Sequence, residues 1–138
     1  MQIELYQAET AHVAAEQAAI LAEAREILLQ RKLSLLEQSG VLHALQVLIE
    51  NAIGKAKQLL KTKNEPVPVS AYDAFSALVR CKVLNEECLS VWYSAIGLRN
   101  RIVHDYMNID MNQVLELITS NKEQFITEFL LMPFKVDS

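Results

Sequence analysis

The chain has 138 residues, of which 51% are hydrophobic, with only three glycines and three prolines. That composition points to one domain with a single substantial core, built from long helices rather than sheets or disorder. A formal net charge of −4 excludes a protein that coats nucleic acid nonspecifically, because affinity for phosphate backbones comes from cations, and it leaves room only for a small local basic patch.

The chain shows no basic start followed by a short apolar stretch and no uninterrupted apolar run near the ~18 residues of a membrane span, so it reads as cytoplasmic, soluble and reduced. Cys81 and Cys88 have no nearby histidine pair. They suit neither a zinc site nor a disulfide framework and read as core thiols.

In chain order, the first helix is expected from near Thr10 to about Gln30, after an extended segment 1–9, with Val13, Ile20, Ala24, Ile27 and Leu28 on one stripe. Ser34 and Glu37 have capping-box spacing, with Ser39-Gly40 as a competing start, and an apolar stripe from Val41 to Leu60 marks the second helix. Pro66 and Pro68 make 62–69 the clearest loop. Ser70 caps a third helix, with Asp73 near its positive end. Asn85 with Glu86 and Glu87 is read as starting the fourth helix in the same way. Asp110 and Gln113 open a fifth, which continues through Phe125 and Phe129 until Pro133, leaving a tail 133–138. The expected fold is all-α, one domain over 1–138, an up-and-down bundle of about five helices.

Chemistry concentrates between Gly97 and Tyr106. Steps of three and four from Cys88 pass through Trp92, Ala95, Arg99, Ile102 and Tyr106, so Arg99 falls on an apolar stripe where a cation is costly without an anion. His104 moves protons near neutral pH and lies five residues on, about 140° around a regular helix. The two then flank a groove unless the helix end is distorted. Gly97 lets a backbone or ligand approach closely.

Plain structural roles compete with these. Arg99 would pair with Glu50 and lock two helices, His104 would cap a helix C-terminus, and Tyr106 would be a core tyrosine. Glu50 and Asn51 interrupt an apolar helix and either reach the motif as orienting groups or face solvent. Trp92 and Tyr93 read as core and rim, and His12 and His43 as helix-surface residues.

The string Gly97-Leu98-Arg99-Asn100 followed by Val103-His104-Asp105-Tyr106, with Asp110 opening a last amphipathic helix, resembles the HepT branch of the HEPN superfamily. The resemblance covers about residues 38 to 132 and includes Leu45-Gln46, Glu50 and the helix from Ser70 to Leu84; the first helix matches only in kind. The branch motif of Arg, four residues, His, any residue and Tyr is met at Arg99, His104 and Tyr106, with Asn100 directly after the arginine.

That resemblance implies a HEPN-like bundle that forms a homodimer through its motif helices. It implies a metal-independent endoribonuclease without a cofactor, the toxin of a type VII toxin–antitoxin pair. The partner would be a minimal nucleotidyltransferase that silences the toxin by moving AMP onto Tyr106. Arg99 would neutralise the transition-state phosphate, His104 would act as general acid or base, and Asn100 would bond phosphate or orient the pair, with Glu50 in support. Arg101, with Arg80 and Lys82 as neighbours, would supply the RNA-binding patch. The alternatives are a non-catalytic nucleotide-binding adaptor that pairs with a nucleotidyltransferase, and a purely structural dimerisation bundle.

Overall fold

The computed structural model describes residues 2–133. It is all-helical, with no strand among the described residues: α1 (Gln2–Leu28), α2 (Leu35–Thr62), α3 (Ala71–Arg80), α4 (Leu89–His104), α5 (Met111–Thr119) and α6 (Gln124–Leu131). Short 3₁₀ turns at Glu86–Cys88 and Tyr106–Asn108 bracket α4.

The long α2 starts at Leu35 because its capping box is complete. Ser34 Oγ accepts from the Glu37 amide at 3.1 Å, and Glu37 Oε1 accepts from the Ser34 amide at 2.8 Å. Two otherwise orphaned donors are satisfied there, which outweighs the competing start at Ser39-Gly40. From that start α2 keeps one apolar face, and Val41, Leu45, Leu48, Ile49, Ala52, Ala56 and Leu60 are buried at the centre of the bundle.

Around this face, α3, α4 and α6 meet in an aromatic cluster. Phe75 stacks on Trp92 with ring centroids 4.4 Å apart, and Trp92 presents its face or edge to Phe125 and Phe129 at 4.9 and 5.0 Å. The buried rings of Phe75, Trp92 and Phe129 each contribute about 1.5–3 kcal/mol by area alone, and Phe125 is partly buried against them. This cluster fixes the slope of α4 and therefore the direction in which its last turn projects.

Three boundaries differ from the sequence reading. Residues 2–9 are helical rather than extended, since α1 begins at Gln2. Tertiary contact holds that end: Gln7 Nε2 donates to the Leu130 carbonyl at 3.4 Å, and Thr10 is buried. The expected fifth helix is two. Asn121 adopts φ 56°, and the Lys122 amide reaches back to the Leu117 carbonyl at 2.9 Å, a Schellman cap that ends α5. Asn85 makes no side-chain cap; the chain first takes a 3₁₀ turn and α4 begins at Leu89. Both cysteines are free and half-buried against the core rather than inside it. Residues 134–138 of the expected tail lie outside the described residues. No described helix is long and apolar enough to cross a membrane.

Candidate functional site

The motif helix α4 stays regular through His104, its last residue. No distortion of the helix end draws Arg99 and His104 together, and the two side chains leave the helix about 140° apart, as their spacing implies. Arg99 is half-buried; its Nε is shut away from solvent without a hydrogen-bond partner, and no carboxylate among the described residues pairs with it. A guanidinium so placed, with no counter-ion among the described residues, is equipped to receive an anion from outside the chain.

His104 stands exposed on the other side. One turn before it, at i−4 and i−3, come Asn100 and Arg101, so these two and not Arg99 share its surface. Asn100 Nδ2 donates to the Tyr72 hydroxyl at 3.5 Å. Arg101 is exposed and lines a groove of about 350 Å³ between α4 and α5, floored by Leu45 and Ile49 and walled by Leu98 and Val114.

Beyond His104 the chain is stapled. The Asp105 amide donates to the Arg101 carbonyl at 2.8 Å, and the Asp105 carboxylate accepts from Asn108 Nδ2 at 2.7 Å. Asp110 then caps α5, accepting from the amides of Asn112 and Gln113 at 3.1 and 3.4 Å. Tyr106 opens the short turn held between these bonds and is 49% exposed, so its phenol is not a core tyrosine. Among the described residues no group of three or more His, Cys, Asp or Glu side chains is placed to hold a metal ion.

The sequence profile of the family described as "Ribonuclease HepT-like" matches residues 14–130, most of the chain and all of this site. The chain belongs to the ribonuclease HepT-like family. Among curated relatives it is 31% identical over 81 residues to the tRNA nuclease HepT of Aphanizomenon flos-aquae, spanning 59% of this chain and 55% of that protein. It is 26% identical over 88 residues to the mRNA nuclease HepT of Shewanella oneidensis, spanning 64% of this chain and 66% of the relative. The match thus takes in just over half to about two thirds of those proteins' lengths. The fold superposes with a TM-score of 0.81 on the tri-AMPylated Shewanella oneidensis HEPN toxin in complex with MNT antitoxin, at 19% identity, over 91% of this chain and 93% of that one.

Within this HepT-like chain, three residues expected near the motif are elsewhere. Glu50 is exposed on α2 and accepts from Gln46 Nε2 at 3.4 Å, one turn back on its own helix. Its companion Asn51 donates to the Val47 carbonyl at 2.8 Å. Neither pairs with Arg99. Arg80 and Lys82 lie at the C-terminal end of α3. Tyr72 faces Asn100 and Ser76 faces Tyr93, so α3 runs antiparallel to α4 and its end lies beside Leu89. Twelve residues of helix then separate that end from Arg101, about 18 Å. Lys82 also has φ 64° and forms the left-handed cap of α3, with the Val83 amide on the Leu78 carbonyl at 2.9 Å.

Tyr72 escaped the sequence reading altogether. Only its place on the first turn of a capped amphipathic helix hinted that it faces outward. Trp92 and Tyr93 are core and rim as read, while His12 and His43 are exposed on their helices.

Proposed function

We propose that this protein is a metal-independent endoribonuclease acting as the toxin of a pair with a minimal nucleotidyltransferase. One observation carries the reading: Arg99 is a half-buried cation with no carboxylate partner among the described residues, on the same helix turns as an exposed histidine. The names of the curated relatives, a tRNA nuclease and an mRNA nuclease, support RNA as the substrate class.

In the proposed chemistry His104 takes the proton from a ribose 2′-hydroxyl, and the 2′-oxygen attacks the adjacent phosphorus. The bond to the 5′-oxygen breaks and that oxygen takes a proton from water, leaving a 2′,3′-cyclic phosphate and a 5′-hydroxyl end, and His104 returns its proton to solvent. Arg99 offsets the negative charge that builds on the five-coordinate phosphorus. Arg101, beside His104, holds the strand; Arg80 and Lys82 meet only a strand that runs the length of α4.

Because Arg99 and His104 leave one chain in diverging directions, the reading includes a homodimer in which the arginine of one copy and the histidine of the other face a shared cleft. Tyr106 is the proposed point of control. A transferase partner would move AMP from ATP to its phenol oxygen, releasing pyrophosphate, and the new phosphate would oppose substrate by charge and volume. The toxin in the similar solved structure is AMPylated and complexed with MNT antitoxin, which supports this part.

Cleavage of RNA by the purified protein in EDTA tests the reading. Arg99→Ala and His104→Ala are each expected to abolish cleavage with helicity intact. RNA binding without cutting by the parent protein would favour the adaptor instead. Sedimentation showing monomer that still cleaves would remove the shared cleft. Co-expression with a transferase followed by peptide mapping is expected to place AMP on Tyr106, with Tyr106→Phe escaping neutralisation.

A further inference from the structure

Beside His104, the seam between α3 and α4 carries polar side chains that have no step in the proposed chemistry. Tyr93, Gly97, Asn100 and His104 follow one another at helical spacing and so occupy one strip of α4. Tyr72, on the first turn of α3, faces that strip. Its ring meets Tyr93 edge-on, with centroids 5.2 Å apart and planes at 84°. Tyr93 is itself anchored by a hydrogen bond between its hydroxyl and that of Ser76. The Tyr72 hydroxyl accepts from Asn100 Nδ2 at 3.5 Å and would lie 3.9 Å from a β-carbon on Gly97.

We infer that Tyr72 is a positioning residue of the ribonuclease site, holding the Asn100 carboxamide in the orientation that serves RNA beside His104. The inference rests on the ribonuclease reading above and adds to it a residue outside the motif.

Three points carry it. First, the core does not require a tyrosine there. Tyr72 is 37% exposed, whereas Phe75 one turn on and Trp92 opposite are buried, and its hydroxyl has no hydrogen-bond partner other than Asn100 among the described residues. Second, an asparagine on the outer side of a helix swings about two torsions, and that freedom is lost when it binds a ligand. A bond from one amide N–H to Tyr72 restricts the swing in advance and leaves the second N–H and the amide oxygen free to meet RNA. Its length is at the upper end of the range, as is common for site hydrogen bonds before substrate arrives. Third, Asn100 and His104 are neighbours at i and i+4, so what fixes the carboxamide also fixes a group beside the imidazole.

The test compares full-length wild type, Tyr72→Phe, Asn100→Ala and the double variant in steady-state cleavage of one labelled RNA, alongside NMR of the Asn100 side-chain amide. Tyr72→Phe keeps the ring and is expected to lower kcat about tenfold with KM and the melting temperature little changed. The double variant is expected to lose no more than Asn100→Ala alone, because the hydroxyl acts through that one residue. The Asn100 amide signals are expected to shift in Tyr72→Phe.

Full activity of Tyr72→Phe in an active wild-type background overturns this inference alone. So do losses that multiply in the double variant, or amide signals that do not move. A wild-type protein that cuts no RNA overturns the ribonuclease reading and this inference with it.

Discussion

Lys55, wholly buried on α2, donates to the Phe129 carbonyl of α6 at 2.6 Å. Its ammonium also bonds the Leu130 and Met132 carbonyls and sits 5.3 Å from the centre of the Phe129 ring. The last carbonyls of a helix have no partner within it, and a cation there also complements the helix dipole. Lys55→Met is therefore expected to destabilise the fold by about 1–3 kcal/mol in urea denaturation. Burial pushes the Lys55 amine down to about 8 from 10.5. The folded state then releases this proton before the unfolded state does. Stability relative to Lys55→Met should be flat below pH 8 and rise between pH 8 and 10.5.

Glu37 gives a dependence at the other end of the scale. The Arg31 guanidinium, bonded to both carboxylate oxygens at 2.7 and 2.8 Å, and the Ser34 amide hold its carboxyl down to about 2 from 4.5. A depressed carboxyl stabilises the fold above its unfolded value and loses that effect as pH falls. Amide exchange in the first turn of α2 should therefore accelerate as pH drops from 4.5 toward 2, beyond the intrinsic pH trend. Glu37→Gln should exchange fast throughout, with no such step.

Two glycines separate helix stability from function. A β-carbon on Gly40 meets nothing within 4 Å, and one on Gly97 meets only the Tyr72 hydroxyl at ordinary contact distance. Both lie inside helices, so each change to alanine should raise stability by up to about 1 kcal/mol in thermal unfolding. Gly40→Ala is expected to keep full RNA cleavage. Gly97→Ala is expected to lose part of it, because the added methyl meets the Tyr72 hydroxyl that Asn100 bonds.

Arg101 and Lys82 should behave differently in RNA binding. Arg101→Ala is expected to reduce the salt dependence of binding by about one unit of slope, whatever the sequence. Lys82→Gly relieves a left-handed lysine and should stabilise the fold by about 1 kcal/mol, leaving the salt slope for short RNA unchanged. An equal loss of slope in both variants would mean that the two ends of α4 hold the same short strand.

What could be read from the chain was local. Ser34 with Glu37, Ser70 with Asp73, and Asp110 announce their helices through side chains that bond amides two or three residues away. The interrupted last helix was hidden because apolar residues stay in phase on both sides of Asn121, and only that residue's tolerance of a left-handed backbone marks the break. The start of α1 depends on Gln7 meeting a carbonyl 123 positions away, and Lys55 meets its carbonyls 74 positions and more along the chain. No window of sequence contains such pairs. The motif itself was legible, including the angle between Arg99 and His104. What faces each of them was not, since Tyr72 comes from another helix and Glu50 turns out to bond within its own.

The straightness of α4 has a consequence for dose. If RNA must touch an arginine and a histidine that one rod points in different directions, the working unit is two rods, and the concentration of working units grows as the square of chain concentration while chains are scarce. A cell holding few copies would then be spared far more than in proportion, and a modest rise in synthesis would bring a steep rise in cutting.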